Sequence, residues 1–196
     1  MKKYFLLLLA GLFVAYTGNA QSTFIPKKFS WGYKIGLNGS TIRMKNGHRP
    51  DWKLGLATGL FFNHQLGSRW SIQPELLYSS MGGRNVTADE GSSLRLNYFS
   101  LPLLARYQAC QKLALLAGPQ MDMLIQAKTK SSSNQFAKVT DDYKEGSFNL
   151  TGGIEYWPAH CLGFSARYIH GVNNIATTGK LEWKNQGVQV MAAVKF

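Results

Sequence analysis

The sequence predicts an all-β protein, an eight-stranded antiparallel transmembrane β-barrel with short periplasmic turns and longer extracellular loops. Three observations lead to this prediction. Eight segments alternate apolar and polar residues with a period of two, and the connections between them alternate between short and long. An export signal precedes the first segment.

The first twenty residues have the features of a signal peptide. Lys2 and Lys3 form a basic start, a near-continuous apolar run extends from Tyr4 to Tyr16, and small residues precede Gln21. The apolar run is too short to span a bilayer as a helix. The predicted domains are a cleaved signal peptide over 1–20, a periplasmic N-terminal segment over 21–31 and an outer-membrane barrel over 32–196.

Composition excludes several other classes of protein. Only 16% of the residues are charged while 13% are aromatic, which argues against a disordered chain. No apolar run long enough for a transmembrane helix follows residue 20. The export signal excludes a cytosolic enzyme, so an exported β-rich domain remains, either soluble or a membrane barrel.

The strands are predicted where alternation runs between Gly, Asn and Ser clusters. They cover residues 32–41, 52–64, 69–81, 94–107, 112–127, 145–157, 162–172 and 182–196. The connections near 65–68, 108–111 and 158–161 are short, and those near 42–51, 82–93, 128–144 and 173–181 are long. A transmembrane barrel shows this alternation of connection lengths, whereas a soluble sandwich does not.

The chemistry of the two strand faces separates a membrane barrel from a soluble barrel such as a lipocalin. One face is apolar, and its aromatic residues fall at the strand ends, near the two membrane interfaces. The other face carries Gly, Ser, Asn, Gln, Thr and a few charges, which suits a narrow polar lumen. Trp183 falls on the opposite parity for this scheme, which leaves the register at the start of the last strand uncertain.

Four segments resemble the strand signature of the PorT-like outer-membrane β-barrel family of Bacteroidota. They are residues 73–79, 98–105, 117–119 and 167–175. Ser100 stands where the family often has an acidic residue, and Gln120 stands where an aromatic residue is common. The resemblance covers essentially the whole mature chain and implies an eight-stranded outer-membrane barrel, but it implies little about activity.

The C-terminal strand resembles the signal that the barrel assembly machinery recognises. Val190, Val194 and the terminal Phe196 share one face of this strand. The alternative is that this is simply the last strand of a sheet. We take the pattern as a predicted assembly signal, which makes the barrel assembly machinery a predicted partner.

Charged residues on the polar faces predict an ion network in the lumen, because buried charges must be paired or solvated. Glu155 and Arg167 lie on consecutive strands joined by a short turn, and we expect them to pair. Glu75, Arg106, Asp122 and Lys53 could extend the network. A catalytic carboxylate would also need a partner base and a cleft, and the sequence reveals neither.

The histidines provide the only argument for catalysis or metal binding. They are His48, His64, His160 and His170. His170 is predicted near the loop end at a height similar to Ser79 and Ser80, but their strands are not neighbours. No pair has metal-ligand spacing. We therefore predict no catalytic site, no metal and no cofactor.

Twenty-two basic residues against ten acidic ones give a formal charge of +12. An outer-membrane position excludes nucleic acid as the partner of this charge. Basic residues at the predicted rims should instead meet lipid phosphates, including those of lipopolysaccharide. They are Arg43, Lys45, Arg49, Arg84, Lys128, Lys130, Lys144, Lys180 and Lys184.

The long loop around 128–144 offers the most reach toward an extracellular protein partner, which the sequence does not identify.

Cys110 and Cys161 allow one internal disulfide. Both are predicted in short turns, at the ends of neighbouring strands. A bridge requires Cα atoms within about 7 Å, and strand stagger could prevent it. Both a bridge and two free thiols are compatible with the sequence.

These features together predict a small integral outer-membrane protein with a structural, interaction or surface-binding role and no turnover. The alternatives are a narrow pore for small solutes and a lipid-modifying outer-membrane enzyme. Inward Phe61, Leu77, Tyr98, Leu104 and Leu124 argue against the pore, because eight strands leave little room around them.

Overall fold

The computed structural model describes residues 28–44, 50–85, 93–130, 136–138, 143–175 and 183–196. The predicted signal peptide and most of the predicted N-terminal segment lie outside these residues. So do His48 and several of the predicted rim cations. No helix within the described ranges is long and apolar enough to cross a membrane.

Nine strands make up the described fold. They are β1 (Phe29–Met44), β2 (Lys53–Gln65), β3 (Trp70–Arg84), β4 (Ser93–Gln108), β5 (Leu113–Lys130), β6 (Phe136–Lys138), β7 (Gly146–Tyr156), β8 (Leu162–Gly171) and β9 (Trp183–Lys195). Eight of them correspond to the predicted strands. The ninth, β6, is a three-residue strand that pairs with the far end of β5 inside the longest predicted loop.

The eight long strands close into an antiparallel barrel. Each strand pairs with its neighbour in the chain, and β5 pairs directly with β7. The first and last strands close the sheet, for example through Tyr33 opposite Val194. The predicted closed barrel of eight antiparallel strands is therefore confirmed.

Several strands are longer than the sequence predicted. β1 begins at Phe29, and β3 and β5 continue to Arg84 and Lys130. The β3–β4 and β4–β5 ladders extend through Arg84 opposite Ser93 and Ser93 opposite Lys130. Apolar alternation fades there because these ribbons extend past the apolar band, while their backbone hydrogen bonds continue.

The connections alternate in length as predicted. Short turns join β2 to β3, β4 to β5 and β7 to β8, and they share one end of the barrel, which we call the short-turn end. The longer connections share the opposite end, called the loop end. Both described chain ends, near Lys28 and Phe196, also lie at the short-turn end, where Phe196 N donates to Trp31 O over 2.8 Å.

The outside of the barrel is apolar and the inside is largely polar. Leu54 is 69% exposed, whereas the side chain of Lys34 is completely buried. A soluble protein has the opposite distribution. Exposed apolar residues continue around the wall, for example Leu37, Leu103 and Val190. This inversion agrees with the membrane barrel and contradicts the soluble, lipocalin-like alternative.

Exposed aromatic side chains lie near both ends of this apolar surface. Trp70 and Phe196 are exposed at the short-turn end, and Trp52 and Tyr168 are exposed toward the loop end. Two such girdles mark the interfaces of a transmembrane barrel. Trp183 instead packs inside the barrel, with its ring 6.1 Å from that of Tyr143. Its opposite parity therefore reflects an inward position, and the register of β9 is regular.

Candidate functional site

Five charged side chains meet in the lumen, and we call them the lumen cluster. Each stands at an inward position of a different strand, since side chains of a strand alternate between the two faces. They are Lys34 on β1, Glu75 on β3, Arg106 on β4, Glu155 on β7 and Arg167 on β8.

Lys34 bridges the two carboxylates of the cluster. Its Nζ lies 2.8 Å from Glu75 Oε1 and 2.9 Å from Glu155 Oε1. Arg167 donates to both oxygens of Glu75, from Nη1 to Oε2 over 2.7 Å and from Nη2 to Oε1 over 3.1 Å. Arg106 Nε donates to Glu155 Oε2 over 3.0 Å. The cluster therefore connects five strands across the lumen.

Neutral donors complete the coordination of the two carboxylates. Gln73 Nε2 donates to Glu75 Oε1 over 2.9 Å, and Trp157 Nε1 donates to Glu155 Oε2 over 2.8 Å. Glu75 and Glu155 are completely buried, and each of their oxygens accepts at least one hydrogen bond. Because their charge is fully compensated, these carboxylates are suited to holding strands together rather than to general-base chemistry.

The expected pair between Glu155 and Arg167 is wrong. In the β7–β8 ladder Glu155 lies opposite Ser165, while Arg167 lies opposite Gly153. A Cβ at residue 153 would come within 2.6 Å of Arg167 Cα, so this glycine permits a close approach of the two strands. Arg167 instead crosses the lumen and pairs with Glu75. Lys34, which pairs with both Glu75 and Glu155, was not among the residues predicted from the sequence. Lys34 could have been found from the alternation of β1, because it lies between the outward residues Tyr33 and Ile35 and must therefore point inward.

Asp122 and Lys53 do not extend the cluster. Asp122 accepts from Gln120 Nε2 over 2.8 Å and from Asn149 Nδ2 over 2.6 Å. Its cross-strand neighbour Ser100 lies six positions along β4 from Arg106, about 20 Å away. Lys53 donates to Ser93 Oγ over 2.7 Å at the loop end. The sequence placed these residues on the correct face but could not assign their heights relative to the other strands.

An apolar cluster fills the lumen toward the loop end, and we call it the plug. Its fully buried members come from five strands and one loop position. They are Ile42, Met81, Leu94, Leu96, Tyr98, Ala127, Ile169 and Ile175, with Leu124, Tyr143 and Trp183 packed against them. Tyr98 also accepts a hydrogen bond from Asn185 Nδ2 over 3.1 Å. The predicted inward positions of Tyr98 and Leu124 are thus confirmed.

A cavity of about 770 Å³ opens at the short-turn end, and we call it the vestibule. Arg106 and Glu155 of the lumen cluster line it, together with Trp157 and Lys195. The vestibule, the lumen cluster and the plug follow one another from the short-turn end toward the loop end.

Cys110 and Cys161 are both free and exposed, so the bridge that the sequence allowed is absent. Cys110 N donates to Leu113 O within the β4–β5 turn, whereas Cys161 O accepts from Lys195 N beside β9. Two strand spacings, about 10 Å, separate those positions. That exceeds the Cα separation that a disulfide allows.

His170 and Ser79 do not form a site. His170 lies opposite the exposed Leu150 on the outside of the wall, where its ring is 6.2 Å from that of Tyr168. Ser79 points into the lumen and accepts from Asn38 Nδ2 over 2.7 Å. The wall of the barrel therefore separates the serine from the histidine. The described part of the chain contains no group of three His, Cys, Asp or Glu residues that could hold a metal.

The residues of the predicted assembly signal share the outer face of β9. Val190 is 54% exposed, Val194 43% and Phe196 64%. Phe196 packs on Trp31 of β1, with ring centroids 4.9 Å apart. The three side chains form an apolar edge along the strand that closes the barrel.

Comparisons with known proteins agree with this architecture. The family described as "Outer membrane protein beta-barrel domain" matches residues 19–177. No curated protein matches the sequence.

Solved barrels similar to this chain include Ail, the attachment invasion locus protein of Yersinia pestis. Its structure in complex with the heparin analogue sucrose octasulfate is 15% identical, with a TM-score of 0.54, over 86% of this chain and 99% of that one. Neisserial surface protein A is 9% identical, with a TM-score of 0.56, over 85% of this chain and 97% of that one. These similarities extend to the fold alone. The family match, supported by the apolar outer wall and the closed barrel, shows that the chain belongs to the outer membrane protein β-barrel family and is a small integral protein of the outer membrane.

Proposed function

We propose that this barrel is a non-catalytic surface protein whose extracellular rim binds phosphate groups of lipopolysaccharide. In outer-membrane barrels the long loops face outward, so the loop end is the extracellular end. The observation that carries the proposal is a set of like-charged neighbours at that rim.

Two cross-strand pairs at the rim bring cations together on the outer face. Arg43 lies opposite Lys184 in the β1–β9 ladder, and Arg95 lies opposite Lys128 in the β4–β5 ladder. Like charges directly opposite each other in a sheet are destabilising. No acidic residue in the described part of the chain pairs with these four side chains. Bound anions would remove the repulsion, and lipid phosphates are the anions at that depth.

The similarity to Ail gives limited support to this proposal. Ail was solved with sucrose octasulfate, a sulfated polyanion. A barrel of this fold can therefore present a surface to clustered anionic groups. For the present chain the argument rests on its own rim cations.

The plug and the wall argue against the two alternatives. A small-solute pore would need a continuous open path, but the apolar plug occupies the lumen toward the loop end. A lipid-modifying enzyme would need a nucleophile and a base on one side of the wall. Ser79 and His170 lie on opposite sides.

We also propose that residues 1–20 direct export and that the β9 edge with Phe196 recruits the barrel assembly machinery. The segments 73–79 and 98–105 support assignment to the PorT-like outer-membrane barrels of Bacteroidota.

The rim proposal is tested with the double variant Arg95→Gln/Lys128→Gln. Native and variant barrels are unfolded by urea in zwitterionic vesicles that contain either bisphosphorylated lipid A or its dephosphorylated form. We expect the phosphorylated lipid to raise the midpoint of the native barrel more than that of the variant, since each cation near an anionic surface contributes about 1 kcal/mol.

In zwitterionic lipid alone the double variant should be at least as stable as the native barrel, because the repulsion is gone. Arg69→Gln/Lys112→Gln, at the opposite end, is the matched control and should respond to lipid A as the native barrel does. Equal midpoints of the native barrel in the two lipid A forms would refute phosphate binding at the rim.

A further inference from the structure

The vestibule is a second cationic feature, separate from the rim. In these barrels the short-turn end faces the periplasm. The plug closes the other side of the lumen, so a ligand would enter the vestibule only from the periplasm. The volume of about 770 Å³ lies within the range of small-molecule sites.

Five cationic side chains line the vestibule against one acidic side chain. The cations are Lys28, Arg69, Arg106, Lys112 and Lys195. The carboxylate, Glu155, already accepts hydrogen bonds from Lys34, Arg106 and Trp157. The negative charge of Glu155 is therefore neutralised within the lumen cluster. The remaining cations give the cavity a strong positive potential.

Arg106 is held in position on the vestibule wall. Its Nε donates to Glu155 and its Nη1 donates to Gln108 Oε1 over 2.6 Å. Nη2 has no hydrogen-bond acceptor among the described residues, and 14% of the side chain is exposed. A guanidinium fixed in this way loses little entropy when it binds an oxyanion.

Lys195 is also held in place. Its Nζ lies 4.9 Å from the centroid of the Trp157 ring. The indole N–H donates to Glu155 Oε2, and the ring also packs against Gly163, where an added Cβ would lie 2.7 Å from ring atoms. This ammonium group has no carboxylate partner in the described part of the chain. Cations fixed without counter-charges favour an anionic ligand.

We propose that the vestibule binds a small polyanion from the periplasm, a molecule with two or more phosphate or carboxylate groups. Amide side chains of Gln65 and Gln111 line the same cavity and can donate to further oxygens. The proposal does not depend on lipid binding at the rim, which is at the other end of the barrel.

The test is isothermal titration calorimetry on the folded, full-length mature barrel. The barrel is kept in a non-ionic maltoside detergent, because this detergent contains no phosphate that could compete with the added anion. Inorganic tripolyphosphate and citrate are titrated separately, so that the two arms distinguish phosphate from carboxylate sources. We expect saturable binding that the vestibule variants weaken and the rim variant retains, and the anion with the lower Kd identifies the preferred group.

Lys112→Gln/Lys195→Gln should weaken that binding at least tenfold. Lys112→Glu, in an exposed turn where folding is not at stake, should weaken it as well. The matched control Lys128→Gln/Lys184→Gln at the rim should leave Kd within twofold. Absence of saturable binding of either anion, or an equal loss in the rim control, would overturn the proposal.

Discussion

Arg167 and Glu75 are joined across the lumen by two hydrogen bonds, although they lie on strands β8 and β3, which are not neighbours. The Nη1–Oε2 distance is 2.7 Å and the Nη2–Oε1 distance is 3.1 Å. Both side chains are essentially buried. Such a bidentate pair fixes the distance between opposite walls of the barrel as well as neutralising charge.

The first prediction concerns this pair. Arg167→Met should lower the free energy of unfolding by about 3–5 kcal/mol, because it leaves Glu75 with one cation in a buried site. Arg167→Met/Glu75→Leu should recover part of the loss, since neither charge remains uncompensated. Urea unfolding of refolded barrels in vesicles measures the native protein, Arg167→Met, Glu75→Leu and the double variant. Strict additivity of the two single changes would contradict the pairing.

The second prediction concerns Lys34, which contacts both carboxylates. Lys34→Met keeps most of the side-chain volume and removes the bridging charge. We expect a loss similar to that of Arg167→Met, with a lower urea midpoint and a lower temperature of unfolding in gel-shift assays. Lys112→Met, in an exposed turn, should change stability by no more than about 0.5 kcal/mol. Equal stability of the two variants would indicate that the lumen cluster does not stabilise the barrel.

The third prediction concerns close approach between strands. A Cβ at Gly36 would lie 2.0 Å from Val190 O, whereas nothing lies within 4 Å of the corresponding position at Gly146. Gly36→Ala should therefore reduce the yield of folded barrel or lower its stability by at least about 1–3 kcal/mol. Gly146→Ala, also in a strand, is the matched control and should fold normally. Equal folding yields of the two variants would show that β1 and β9 can separate without cost.

The fourth prediction uses the two free thiols as topology markers. Cys110 and Cys161 are exposed in short turns, which face the periplasm. A membrane-impermeant maleimide should label neither on intact cells and both, without prior reduction, once the outer membrane is permeabilised. In a Cys110→Ser/Cys161→Ser background, Lys144→Cys should be labelled on intact cells. The reverse labelling pattern would invert the orientation of the barrel.

The fifth prediction separates the proposed assembly signal from packing. Deleting Phe196 removes its ring contact with Trp31, and Trp31→Ala removes the same contact from the other side. We expect both variants to refold in detergent with similar yields, while only the Phe196 deletion accumulates unfolded in the periplasm of cells. Levels of folded barrel in cells measure the difference. If both variants assemble equally well, Phe196 acts only through packing.

The sequence by itself determined the fold, because strand periodicity is a local property. Alternation along β3 assigned Glu75 to the inner face and Trp70 to the outer face, and turn lengths assigned the two ends. The same local reasoning placed Glu155, Arg106 and Arg167 inside the barrel. The strand number followed from counting such segments, with β6 missed because three residues are too few to show a period.

Only the tertiary structure decided which inward side chains meet. Contacts across the lumen depend on the relative heights of distant strands, and those heights are set by the stagger of the closed barrel rather than by any one strand. For this reason Arg167 reaches Glu75 instead of Glu155, and Lys34 bridges two carboxylates on strands distant in sequence. Closure of the barrel also leaves Cys110 and Cys161 two strand spacings apart and collects cations around the vestibule, an arrangement that no single strand encodes.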